Sequence, residues 1–292
     1  MIGTARSHAA VTIVNALPTG VGCALGIGLA VEARVTLRPS APAAEPRHRY
    51  SRGAGTPVVR EALRLALDAF GDDRPQSAAV ELRSEIPPAR GLKSSSAVAT
   101  AVVRATARAF GVEPDLVDVA RIAAGAGRTA GVSATGALDD ALAGLASGFW
   151  VADCRGGRVL RHAAADAGWK IALYVPRTKH APSPTWAASF ELRKIEGAAA
   201  VDQALAGNWW TAMRQNTELV EETMQYDYSG LRASLREHGA LASGVSGMGP
   251  TLAAVVDPSH APQVLECLPV SGGTRQLVSV LAPTRGSTGG SP

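Results

Sequence analysis

Gly91-Leu92-Lys93-Ser94-Ser95-Ser96 runs directly into an alanine-rich segment, so three hydroxyls and an ammonium stand where a helix begins. Side-chain hydroxyls, unpaired first-turn amides and the positive end of the helix dipole converge there on one kind of occupant, an anion such as phosphate. A single serine suffices to cap a helix. Three in succession after a glycine predict a phosphate cradle, the more so because the chain's 29 basic residues include only four lysines, at positions 93, 170, 179 and 194. The spacing excludes a Walker A loop, since Leu92 separates Gly91 from Lys93, and the glycines of Gly20–Gly28 do not fit the dinucleotide fingerprint.

Two further segments have chemistry-bearing types. Thr135-Gly136-Ala137-Leu138-Asp139-Asp140 sets two carboxylates at the start of an apolar run. They are either an acidic first turn favoured by the helix dipole or the orienting carboxylate and magnesium ligand that phosphoryl transfer needs, and as neighbours on a helix they face different ways. Gly244-Val245-Ser246-Gly247-Met248-Gly249-Pro250-Thr251 is either a connecting turn or a loop whose backbone approaches a ligand closely.

The elements that must position these residues follow from periodicity. Alternation at Val80, Leu82, Ser84 and Ile86 predicts a strand before the serine loop, and Val98, Val102, Ala105 and Ala109 predict a helix after it, ending at Phe110-Gly111. Strands are also expected at 11–15, 29–37, 148–152, 169–176 and 252–256. Helices are expected from Pro57 to Phe70, about 115–124, across much of 188–224, and at 263–267. Residues 40–55 read as a polar surface excursion, and those from about 282 as a disordered tail. Mixed elements without a regular βαβ repeat predict an α+β protein, with domains at 1–164 and 165–292.

Composition narrows the classes. The chain has 292 residues, 46% of them hydrophobic, enough for two modest cores. Its net charge of +4 comes from scattered arginines without interleaved aromatics, so nucleic acid is not an expected partner. Cys23, Cys154 and Cys267 lack metal-ligand spacing. No secretory signal or membrane-length apolar run is evident, and a cytoplasmic protein is expected.

Together the segments resemble the motifs of the galactokinase, homoserine kinase, mevalonate kinase and phosphomevalonate kinase superfamily, the GHMP kinases. Pro87-x-x-x-Gly91-Leu92-x-Ser94-Ser95-x-Ala97 resembles its ATP loop, Asp139-Asp140-Ala141 its catalytic aspartate segment, and Ser246–Thr251 its C-terminal glycine motif. Within the superfamily the chain is most similar to the archaeal-type shikimate kinases, through Ala9–Ala16, Thr19-Gly20-x-Gly22-x-Ala24, Gly91–Ala97 and Thr135–Ala141. The resemblance implies an N-terminal domain like domain 2 of ribosomal protein S5, a ferredoxin-like C-terminal domain, and ATP with Mg²⁺ between them.

It further implies ATP-dependent phosphorylation of the 3-hydroxyl of shikimate in the chorismate pathway of aromatic amino acid synthesis. A kinase for homoserine or a mevalonate-like acid is the alternative, and a non-catalytic nucleotide or RNA binder a remoter one. Asp139 is then the catalytic residue, and Pro87, Ala89, Arg90, Gly91, Leu92, Lys93, Ser94, Ser95, Ser96 and Ala97 bind ATP. Where many members carry a magnesium-binding glutamate this chain reads Gly127-Arg128-Thr129-Ala130, which leaves the metal to Ser95 and Asp140, or to water. The acceptor site is expected among Asn15, Thr135, Gly247 and Gly249, with Arg6, His8 or Arg177 as the cation for the acceptor's carboxylate. A small-molecule substrate is the expected partner; a homodimer is left open, and no membrane is expected.

Overall fold

The computed structural model describes residues 1–40, 45–71, 76–178 and 184–283. The first part of the chain runs β1 (Ile2–Val14), β2 (Val21–Pro39), β3 (His48–Tyr50), α1 (Pro57–Phe70), β4 (Gln76–Ser84), α2 (Ser94–Ala109), α3 (Leu116–Thr129), α4 (Leu138–Leu145), β5 (Phe149–Asp153) and β6 (Arg158–Ala163). The second part runs β7 (Lys170–Pro176), α5 (Pro184–Glu191), α6 (Lys194–Ala206), α7 (Trp209–Met224), α8 (Ser229–Glu237), β8 (Ala240–Val245), β9 (Leu252–Val256), α9 (Ala261–Cys267) and β10 (Gly273–Ser279).

β2 organises the first sheet. One of its edges pairs with β1, while the other pairs with β5 over residues 21–25 and with β4 over residues 31–39. All pairings are antiparallel except β3 with β4. The second sheet has the order β10-β7-β9-β8, with helices after β7 and after β9, which is the βαββαβ ferredoxin-like arrangement. α2 packs on β1 and β2, and α7 packs on β1 as well as on β8, so the two sheets are joined through shared side chains. The largest apolar cluster accordingly runs from Val11, Ile13 and Leu25 through Ile171, Met213 and Val255. The α+β class expected from the sequence holds.

β1 begins nine residues before the strand expected at 11–15, and β2 eight before that expected at 29–37. In β1 the inward positions are Gly3, Ala5 and Ser7, small because α2 lies close; a methyl on Gly3 would overlap the Ala105 carbonyl. Small buried residues do not register as hydrophobic alternation. β4 begins at Gln76 and ends at Ser84, earlier at both ends than expected. β3, inside the expected excursion, is a short polar edge strand of the kind that discourages edge pairing. β6, α8, β8 and β10 were not expected either; Arg158–Ala163 exposes every second residue at an edge, and β10 is similarly half exposed. The C-terminal segment docks through the Leu281 amide on the Gly26 carbonyl at 2.9 Å, and the expected tail lies outside the described residues from 284 onward.

Candidate active site

The serine loop is built by Lys93, not by a capping serine. Lys93 occupies the helix-preceding position in a left-handed conformation (φ 62°, ψ 28°), so Ser94, Ser95 and Ser96 form the first turn of α2. Their amides have no acceptor within the helix. Gly91, at φ 83°, carries the loop beneath the closing segment: a methyl there would overlap the Ser246 carbonyl. The Ser246 hydroxyl donates to the Gly91 carbonyl at 2.8 Å and accepts from the Thr12 amide at 3.2 Å. The Gly247 amide donates to Thr12 Oγ1 at 2.8 Å, and the Asn15 side-chain amide donates to the Gly247 carbonyl at 3.2 Å. Tyr226 and Tyr228 donate to the carbonyls of Met248 and Pro250, each at 2.9 Å. The end of β1 and the connection between α7 and α8 thus hold the glycine segment against the serine loop.

The paired carboxylates lie in the first turn of α4, which Ala137 precedes in a left-handed conformation. Both are buried, at 3% and 6% exposure. Asp140 Oδ2 lies 3.2 Å from Lys93 Nζ, while its Oδ1 is buried without a hydrogen-bond partner. Asp139 Oδ1 accepts from the Cys154 thiol at 3.1 Å, and the rest of its carboxylate rests on Gly22 of β2, where a methyl would lie 2.7 Å from Cγ. Burial, reinforced by the charge of Asp140 and opposed by Lys93, pushes the Asp139 carboxyl up to about 7. Burial also raises Asp140, against the pull of Lys93. Two adjacent carboxylates therefore sit in different surroundings, one poised to exchange a proton near neutrality and one tied to a lysine.

These groups line a cleft of about 910 Å³. Of the residues expected at the site, Ala89, Arg90, Gly91, Lys93 and the three serines line it, as do Asn15, Thr135, Asp139, Asp140, Gly247 and Gly249. The side chains of Leu92 and Ala97 do not; being apolar they sink into the core at 1% exposure, and Pro88 lines the cleft in place of Pro87. All three candidate cations lie elsewhere. Arg6 is on the solvent face of β1, 3.4 Å from Glu32; the His8 ring meets the Gly144 carbonyl at 3.3 Å; and Arg177 is exposed outside the cleft beyond the end of β7. Thr12, Cys154, Tyr226, Tyr228 and Asn216, whose Oδ1 accepts from the Asn15 main-chain amide at 2.7 Å, support the site without having been expected there, because each acts across a sequence separation that no local pattern reports. Arg128 lines the cleft too.

A helix N-terminus bearing hydroxyls and a lysine, in one cleft with a buried carboxylate of raised proton affinity, is the kind of arrangement that phosphoryl transfer uses. Family profiles described as "GHMP kinases N terminal domain" and "GHMP kinases C terminal" match residues 57–148 and 197–272. The chain is 34% identical over 293 residues to a shikimate kinase of Halobacterium salinarum, covering 98% of this chain and 99% of that one. It is also 34% identical to a shikimate kinase of Thermococcus kodakarensis, with 87% and 92% covered. In fold it matches a homoserine kinase from Cytophaga hutchinsonii with a TM-score of 0.68, at 17% identity over 96% of this chain and 95% of that one. The chain belongs to the GHMP kinases.

Proposed function

We propose that the protein transfers the γ-phosphoryl group of ATP to the 3-hydroxyl of shikimate, giving shikimate 3-phosphate and ADP. The observation that carries this reading is the buried Asp139 carboxylate in the same cleft as the serine-rich start of α2, in a chain so alike over its length to proteins named shikimate kinase. In the transfer, the acceptor oxygen forms its bond to the γ-phosphorus as the bond to the β–γ bridging oxygen breaks. Asp139 orients the attacking hydroxyl and receives its proton, a role matched to a carboxyl titrating at about 7. The first-turn amides of α2, the hydroxyls of Ser94–Ser96, Arg90 and Lys93 balance phosphate charge.

The hard oxygen donors and the orphaned Oδ1 of Asp140 suit Mg²⁺, which Asp140 and Ser95 would hold. When bound, the ion neutralises phosphate oxygens. Asn15, Thr135, Gly247 and Gly249 line the acceptor side. We also take the domain boundary to lie near residue 165, in the connection between β6 and β7. No helix among the described residues is long and apolar enough to cross a membrane, and the enzyme is taken to work in the cytoplasm.

The test is ATP- and Mg²⁺-dependent phosphorylation of shikimate by the purified protein beside homoserine and mevalonate, repeated with Asp139→Asn. Turnover on shikimate that the substitution lowers by about 100-fold or more fits the reading. Turnover on another alcohol alone defeats it.

A further inference from the structure

Among the described residues three cations line the cleft: Arg90, Lys93 and Arg128. Lys93 is paired with Asp140, and Arg90 belongs to the phosphate loop, where its Nε is buried without a protein partner. Arg128, in the last turn of α3, has another setting. Its Nη1 reaches two main-chain carbonyls, those of Thr135 at 3.4 Å and Cys154 at 3.5 Å, both at the outer limit of a hydrogen bond. Among the described residues it faces no carboxylate within ion-pair distance. Glu191, which among the described residues is the one other acidic residue lining the cleft besides the aspartate pair, is paired with Arg155 at 3.2 Å.

The guanidinium belongs to an exposed residue and lies against the turn that precedes Asp139. Gly136 turns at φ 89°, and a methyl on it would overlap Nη1 and lie 3.2 Å from Cζ, so the turn before Asp139 leaves room for Arg128. Cys154 joins the two groups, its thiol on Asp139 Oδ1 and its carbonyl on Arg128 Nη1. A planar donor fork with unspent N–H groups thus stands one residue away from the carboxylate that receives the hydroxyl proton. Such a fork suits a carboxylate held by two parallel hydrogen bonds.

We infer that Arg128 grips the carboxylate of the acceptor and thereby selects acid alcohols, a role that rests on the proposed function for the naming of shikimate as the acid. The phosphates have their own cations and helix terminus, whereas Arg128 is the cation on the Thr135–Cys154 side of Asp139. It orients the acceptor so that its hydroxyl, and not another, meets Asp139.

The experiment is steady-state kinetics of wild type, Arg128→Gln and Arg128→Lys with shikimate and with shikimate methyl ester, ATP being varied separately. Wild type prefers the acid. Arg128→Gln raises KM for shikimate about 30- to 100-fold, abolishes the preference over the ester, and leaves KM for ATP within about 2-fold. Arg128→Lys, which keeps charge but not the fork, restores only part of the preference. Melting temperatures of both variants check that the fold is retained. An acid-over-ester preference that survives in Arg128→Gln overturns the inference, as does a rise confined to KM for ATP, which would assign the arginine to the γ-phosphate. Wild-type turnover on homoserine or mevalonate but not on shikimate defeats the shikimate reading alone, and the acid-to-ester comparison is then made on the acid that is used.

Discussion

Asp139→Asn should stabilise the nucleotide-free protein while disabling it. The carboxyl is raised from 3.8 to about 7 because the folded site disfavours its charge. Each unit is worth about 1.4 kcal/mol, so about three units make the ionised side chain a burden of roughly 4 kcal/mol on the folded state. The native state holds the proton more tightly than the unfolded chain, so stability falls as pH rises from about 4 to about 7. The burden is complete above that window and absent below it. Asparagine is neutral throughout and keeps an oxygen to accept from the Cys154 thiol. With an unfolding entropy of about 2.1 cal/mol/K per residue, 4 kcal/mol corresponds to a gain in melting temperature of about 6 °C for a chain of 292 residues. Scanning calorimetry of both proteins in EDTA, without nucleotide, at pH 8, 6 and 4.5 measures it. The gain should be greatest at pH 8 and should shrink steadily towards pH 4.5. A variant no more stable than wild type at pH 8, or one with the same advantage at every pH, would refute the assignment of the raised affinity to burial of that carboxylate.

Four other outcomes are expected. Gly22→Ala forces a methyl against the Asp139 carboxylate and should lower kcat at least about 10-fold with KM for ATP nearly unchanged, as steady-state rates would reveal. Lys93→Met leaves Asp140 buried and without its 3.2 Å partner; a loss of about 3 kcal/mol in urea-monitored stability should accompany the loss of activity. Ser246→Ala removes the bond to the Gly91 carbonyl and the acceptor for the Thr12 amide, and should cost about 1–3 kcal/mol, read from the same unfolding curves. In the role proposed for it Asp139 must be ionised to receive the proton, so kcat/KM for the acceptor should rise with pH up to about 7 and then level off, and a profile flat from pH 5.5 to 8 would remove Asp139 from that role.

The hydroxyl-bearing helix start that lines the cleft was legible in the sequence because its parts are contiguous. Gly91, Lys93 and Ser94–Ser96 are local in the chain, and a helix N-terminus assembles its own amides and hydroxyls without help from distant residues. The acidic pair was legible as a pair, but not the difference between its members. That difference comes from Cys154 after β5, Gly22 on β2 and Lys93 before α2, which give the two carboxylates different surroundings. Strands whose inward positions are Gly3, Ala5 and Ser7 escaped periodicity because close approach of a helix demands small residues there, not apolar ones. The cation proposed for the acceptor shows the same limit most sharply. Arg6, His8 and Arg177 were plausible by type alone, yet only tertiary packing determines that Arg128 joins Arg90 in lining the cleft. Arg128 does so because α3 ends beside the Thr135–Gly136 turn and the Cys154 carbonyl, a meeting of three segments for which no spacing along the chain is a signal.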